Sequence, residues 1–235
     1  MVDAGQETAG GADLVGGPRP RDWLACGWFT PDYRPLAETL AAQLAAHDVP
    51  HHIFSTTKIG NWSREVLRKP SMIQRAMREH PDKVIIFMDV DCIVRGPLDE
   101  AAVTTADVTC SLYVKKQFGR LRADLSSRVV VIRPSASARR LVEHWALACQ
   151  EANSIMPDLG DETALMVSLA RCTGAAWSAI DQRFAGRELA RAPKGAVIVH
   201  DSAHEESTVV RRVHKQAKAW KRWAFGSTTR DLAVK

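Results

Sequence analysis

The apolar positions of the chain change period along its length, and the changes divide it into strands and helices. Trp23 to Phe29 is an apolar run closed by the turn-forming Thr30-Pro31-Asp32-Tyr33, after which the spacing predicts a helix from about Pro35 to His47. His51 to Phe54 reads as a second strand. Pro70 to Glu79 reads as a helix whose Met72, Ile73, Ala76 and Met77 share one face, and Val84 to Met88 is the next strand. Strands alternating with helices over the first hundred residues predict an α/β fold. Its mixed, mostly parallel sheet is flanked by helices, and ligands are expected at the C-terminal strand ends.

Beyond Gly96-Pro97, Val108 to Val114 and Val129 to Ile132 are predicted strands, and Ser135 to Gln150 is a predicted helix. A short helix from Glu162 to Ala170 follows Asp158-Leu159-Gly160-Asp161, with Asp161 placed as its N-cap. A last strand, Ala196 to Val199, ends at His200. From Val209 to Phe225 the residues Val209, Val213, Ala217, Trp220 and Ala224 recur at helical spacing, with Arg211, Lys215, Lys218 and Arg222 on another face. No internal repeat is present.

The 235 residues, 46% of them hydrophobic, suffice for one sizeable core. The expected organisation is a flexible, Gly- and Ala-rich leader over 1–21, one catalytic domain over 22–206, and a basic amphipathic tail over 207–235. No stretch approaches the ~20 apolar residues of a membrane span, and no basic start followed by an apolar run marks the N-terminus. Five scattered cysteines without a Cys-x-x-Cys suggest reduced structural thiols. The expected compartment is therefore the cytoplasm. The net charge of +5 is uneven: from Ser207 onward eight Lys and Arg face Asp231 alone, so the tail carries +7 and the rest −2.

The chemistry concentrates where Val84-Ile85-Ile86-Phe87-Met88 runs into Asp89-Val90-Asp91. Residues alternate along an extended segment, so Asp89 and Asp91 are expected on one side and Val90 in the fold. Two neighbouring carboxylates repel unless a cation or donors neutralise them, and hard oxygen ligands at a strand end suit a divalent ion and a phosphorylated substrate. Solvated acids capping a strand are the plainer alternative.

An apolar strand ending in Asp-x-Asp, after strand-helix units and before Gly96-Pro97-Leu98, resembles the nucleotide-sugar-dependent glycosyltransferases of the GT-A fold. The order of parts carries the likeness over roughly Trp23 to Glu206. Lys69-Pro70 and its helix stand upstream, Ser126 to Pro134 is similar to the strand after the metal site, and Gly160 to Leu165 is similar to a helix start with acceptor-side acids. In retaining branches, including glycogenin-like and bacterial galactosyltransferase families, a histidine at a late strand end completes the metal site, which is the role implied for His200. The resemblance implies a single GT-A-like domain, sugar transfer from a nucleoside diphosphate sugar (a UDP-sugar favoured) to a saccharide, lipid-linked or other hydroxyl, and Mn²⁺ or Mg²⁺ held by Asp89, Asp91 and His200. Two departures stand out. His200 is followed by Asp201-Ser202-Ala203-His204 without the family's glycine and phosphate lysine, for which Arg211, Arg212 or Lys215 are candidates, and Ser126-Ser127-Arg128 replaces small or Asn-Gly residues.

Asp161 and Glu162 are the catalytic candidates on the acceptor side; simple helix capping accounts for them equally. Thr30, Asp32 and Tyr33 are expected near the nucleotide base, Asp89 and Val90 beside the donor, and Lys69 within reach of it. Tyr33 as a packing residue, Lys69 as a solvated side chain and His200 as a satisfied strand-end histidine are the structural alternatives, and His204 competes with His200 for the ligand role. The basic tail packs on the domain, lies peripherally on the inner face of an anionic membrane, or meets a polyanion; the negative body argues against nucleic acid. A haloacid dehalogenase-like phosphohydrolase also uses Asp-x-Asp at a strand end. Against it, its first Asp lies near the chain start, and Gly160-Asp161 lacks the second acid of its later metal motif. A non-catalytic GT-A-like binding protein is the remaining rival.

Overall fold

The computed structural model describes residues 11–17, 21–60, 62–117, 119–155, 160–185 and 193–200. The tail over 207–235, with Arg211, Arg212 and Lys215, lies outside them, as do His204, residues 1–10 and 18–20 of the leader, and 201–206. Seven strands form the main sheet in the order β1 (Leu14–Gly16), β3 (His51–Ser55), β2 (Trp23–Phe29), β4 (Val84–Met88), β7 (Arg120–Ile132), β6 (Val108–Gln117), β8 (Trp177–Ala179). The pairs β3/β2, β2/β4 and β6/β8 are parallel, and β1/β3, β4/β7 and β7/β6 antiparallel. The alternation of strands and helices thus yields the expected mixed α/β sheet. Residues 14–16, assigned to the leader from their Gly- and Ala-rich surroundings, instead pair as β1 with β3.

Both faces of the sheet are covered, which is why its central strands read as continuous apolar runs. Along β4, Ile85 and Phe87 enter one apolar cluster, while Ile86 and Met88 enter the other; on β7, Val130 and Ile132 oppose Val129 and Val131 in the same way. The first cluster is closed by α3 (Lys69–Glu79), α5 (Ala136–Ile155) and α6 (Asp161–Arg171), with Met72, Ile73, Ala76 and Met77 buried as their spacing predicts. The second is closed by α1 (Arg34–Ala46) and α4 (Asp99–Ala102). The helix α2 (Trp62–Val66) precedes α3.

A separate two-stranded ribbon pairs β5 (Cys92–Val94) with β9 (Ile198–His200), and its register sets Cys92 opposite His200. This ribbon escapes sequence reading because each strand has three residues and the partners lie a hundred positions apart. The close packing that carries β4 to its end depends on Gly27: a Cβ there would stand 2.9 Å from the Met88 carbonyl oxygen.

Candidate active site

The chain leaves the sheet abruptly after Met88. The Asp89 N–H donates to the Arg128 carbonyl (3.0 Å) and the Cys92 N–H to the Asp89 carbonyl (3.0 Å), so Asp89 to Cys92 form a turn. This corrects the extended conformation expected for Asp89-Val90-Asp91: the ladder ends at Met88, and the first residue past it is caught by β7. Val90 is buried among apolar side chains, so its side chain meets the core and not a ligand. The turn nevertheless keeps the carboxylates together, and ligand atoms of Asp89, Asp91 and His200 all lie within 4.8 Å of one another.

His200 arrives by the β5/β9 register, with Nε2 3.0 Å from Asp91 Oδ1. Its Nδ1 is buried without a hydrogen-bond partner among the described residues. A buried ring nitrogen left unpaired is unfavourable unless a cation or donor meets it. Burial pushes the Asp89 carboxyl above the ordinary carboxylate value, and Asp91 adds to the effect against the opposing pull of Lys69. Two carboxylates, an imidazole and an unmet positive demand fit a divalent ion of the Mn²⁺ or Mg²⁺ type.

Lys69 is not the solvated residue that its place before a proline suggests. It is 5% exposed, with Nζ 2.8 Å from Asp89 Oδ1 and 3.4 Å from Asp161 Oδ2, and it donates to the Ser127 hydroxyl (3.1 Å) and carbonyl (3.3 Å). Burial works against its charge, yet Asp161 and Asp89 hold the ammonium above the ordinary lysine value. Asp161 is not an N-cap, because Gly160 takes that position in extended backbone and Asp161 is the first helical residue. Its carboxylate turns inward to accept from the Ser127 hydroxyl (2.5 Å), while its carbonyl accepts from Trp145 Nε1 (2.9 Å). Glu162 is half-buried beside it, near enough for its charge to act on Lys69.

Ser127 reaches this network through a bulge. The β6/β7 register passes from Cys110↔Val130 to Ser111↔Ser126, leaving Ser127, Arg128 and Val129 outside the β6 ladder. Bulges of this kind re-aim side chains, and here Ser127 meets Lys69 and Asp161 while the Arg128 carbonyl accepts from the Asp89 N–H. The Ser126-Ser127-Arg128 departure is therefore the part of β7 that builds the site. Arg128 lines a small pocket with Ser111, Tyr113, Ser126, Cys92 and His200. Ser111 and Tyr113 carry no sequence signal of their own, and Ser127 and Arg128 stand out in the sequence only as a departure, because the bulge is what collects them.

Thr30, Asp32 and Tyr33 follow β2 as a 3₁₀ turn. The Thr30 hydroxyl donates to Asp32 Oδ1 (2.5 Å) and Lys58 Nζ lies 2.6 Å from Asp32 Oδ2; these two partners hold the Asp32 carboxyl below its ordinary value. Tyr33 packs partly against the second apolar cluster, and burial, Asp32 and Asp91 together raise its hydroxyl above the ordinary value, so this turn stands beside the Asp91 end of the cluster.

The chain is similar in structure to a glycosyltransferase involved in glycosylation of the major capsid of PBCV-1, with a TM-score of 0.58 and 13% identity over 82% of this chain and 98% of that one. It is also similar to the galactosyltransferase LgtC in complex with donor and acceptor sugar analogs, with a TM-score of 0.50 and 10% identity over 83% of this chain and 95% of that one. The chain has a GT-A-like fold. No protein-family model matches the sequence, and neither does any curated protein. In this fold Asp89 ends the fourth strand of the chain, at the middle of the sheet, which removes the ground for the phosphohydrolase reading. No helix among the described residues is long and apolar enough to cross a membrane.

Proposed function

We propose that the chain is a metal-dependent glycosyltransferase that moves a sugar from a nucleoside diphosphate sugar, a UDP-sugar favoured, to a hydroxyl acceptor with retention at the anomeric carbon. The convergence of Asp89, Asp91 and His200 beside the pocket that Arg128 lines, at the C-terminal end of β4 in a GT-A-like fold, is the observation that carries it. Asp89, Asp91 and His200 would hold Mn²⁺, or Mg²⁺ in its place, and the ion supplies positive charge to the diphosphate as it leaves. Arg128 adds a fixed positive charge at the cavity and takes the part for which the sequence offered only tail residues.

The remaining residues act by position. Lys69 holds Asp89 and Asp161 in place, so neither carboxylate has to reorganise as charge develops. Asp161, held by Ser127, presents its charge toward the sugar side, and Glu162 beside it is the group left to take the acceptor proton. Thr30, Asp32 and Tyr33 form the wall for the nucleotide base. The cytoplasm, with the tail at an anionic membrane surface, is the proposed location, and saccharide or lipid-linked hydroxyls are the proposed acceptors.

The test is thermal stabilisation by a panel of nucleoside diphosphates and nucleotide sugars with and without Mn²⁺, followed by release of the nucleoside diphosphate from the best donor. Mn²⁺-dependent stabilisation that disappears in Asp89→Ala with Asp91→Ala is expected. Stabilisation that survives the double change overturns the site, and donor binding without turnover identifies a GT-A-like binding protein.

A further inference from the structure

The helix α3 touches a second cluster of metal-binding side chains at its other end. Lys69 at its start meets Asp89, whereas Glu79, its last residue, and His80, its C-cap, stand about 15 Å further along the axis. There His52 of β3 places Nδ1 3.0 Å from His80 Nε2 and 3.7 Å from Glu79 Oε2, and donor atoms of the three residues lie within 4.8 Å of one another.

The surroundings prepare these donors. His52 Nε2 lies 3.0 Å from Asp13 Oδ2, so the carboxylate keeps the ring proton on Nε2 and leaves the Nδ1 lone pair facing His80 and Glu79. Asp13 is itself held by the Ser55 N–H (2.7 Å) and by Arg75 Nη2 (3.1 Å). A carboxylate fixing the far nitrogen of an imidazole is the usual support for a metal-bound histidine. The His52 ring rests on Phe54, with centroids 4.1 Å apart, so it cannot swing away freely. Arg75 Nε engages Glu79 Oε1 at 2.7 Å and leaves Oε2 toward the imidazoles. Two carboxylates, Asp13 and Glu79, face the Arg75 guanidinium here, and the Lys83 ammonium is near enough to act on His80. The C-terminal end of α3 adds the negative pole of the helix dipole, which favours a cation there.

We propose that His52, Glu79 and His80 form a second metal site that binds Zn²⁺, with Asp13 as a positioning residue and water completing the coordination. Two imidazoles and a carboxylate suit zinc better than the oxygen-seeking ions expected at Asp89 and Asp91. The site stands independently of sugar transfer. Its effect would be mechanical: it fastens β3, the strand next to the sheet edge, to the end of the helix whose other end positions Lys69.

Isothermal titration of the untagged full chain with Zn²⁺ alone tests this, with Co²⁺ substitution read by its visible absorption. We expect one Zn²⁺ per chain in wild type and equally in Asp91→Asn, since that change touches only the first cluster. His80→Gln and Glu79→Gln, both at the accessible rim, should weaken binding by more than about tenfold, and Asp13→Asn by about 10- to 100-fold. Unchanged Zn²⁺ affinity in both rim variants overturns the site, as does the absence of Zn²⁺ binding in wild type. Zn²⁺ binding that is lost in Asp91→Asn and kept in Glu79→Gln assigns the ion to the first cluster and also refutes the proposal.

Discussion

Replacing Lys69 with methionine removes the ammonium that stands between Asp89 and Asp161 while keeping a side chain of similar length. The Nζ lies 2.8 Å from one carboxylate oxygen and 3.4 Å from the other, and the lysine and Asp161 side chains are 7% and 9% exposed. At an effective dielectric constant of about 20, the two contacts are worth on the order of 10 kcal/mol gross. Taking the ammonium out of water offsets more than half of that, and breaking a buried pair from one side leaves a net loss of about 3–5 kcal/mol. For a chain of this size the loss corresponds to a fall in Tm of about 6–20 °C. Urea unfolding in the presence of a chelator measures it without contribution from bound cation. Asp161→Asn removes one of the stranded charges, so Lys69→Met with Asp161→Asn should lose less than the two single changes added together, with a coupling of about 1–3 kcal/mol. A loss below about 1 kcal/mol for Lys69→Met, or strict additivity with Asp161→Asn, would refute the reading of Lys69 as the charge that holds both carboxylates.

Two further outcomes follow from other parts of the structure. Burial raises the thiols of Cys26 and Cys92 far above the ordinary value and pushes those of Cys110 and Cys149 up to about 12. In the unfolded chain these thiols ionise near pH 8.5 or so, whereas the folded chain keeps the protons, so their stabilising contribution is complete below about pH 8.5 and is lost as pH rises beyond it. The urea midpoint should fall from about pH 8.5 to about pH 10, and a rise over that range contradicts it; in native protein a thiol reagent should modify half-buried Cys172 first. Arg128→Met should weaken nucleoside diphosphate binding by about 1.5–3 kcal/mol, on the order of 10- to 100-fold in Kd, while leaving Mn²⁺ affinity unchanged in calorimetric titration. Equal weakening of both would mean that Arg128 supports the metal cluster and not the donor.

The contrast between what the chain displays and what it conceals follows from the range of the interactions. The strand Trp23–Phe29 was legible residue for residue, and the buried face of α3 was legible from its spacing, because each rests on a periodicity local to its own segment. Asp89 and Asp91 were legible as a pair because a carboxylate cannot end an apolar strand without consequence. Their conformation was not, since the turn depends on a hydrogen bond from Asp89 to the Arg128 carbonyl, which exists only once β7 has folded against β4.

Lys69 shows the same limit more sharply. In sequence it is a basic residue before a proline, and every local rule places it in water. Its burial is imposed by three distant groups at once: Asp89 after β4, Asp161 at the start of α6, and Ser127 in the bulge of β7. Each of these has a bland local explanation: a strand end, a helix start and a polar residue in a strand. Among the described residues the buried side-chain polar atom left without a partner is His200 Nδ1, on the ring whose Nε2 meets Asp91. A purely structural network has no need to gather two carboxylates and an imidazole within 4.8 Å of one another, because the repulsion of the carboxylates is relieved only when a cation or further donors join them.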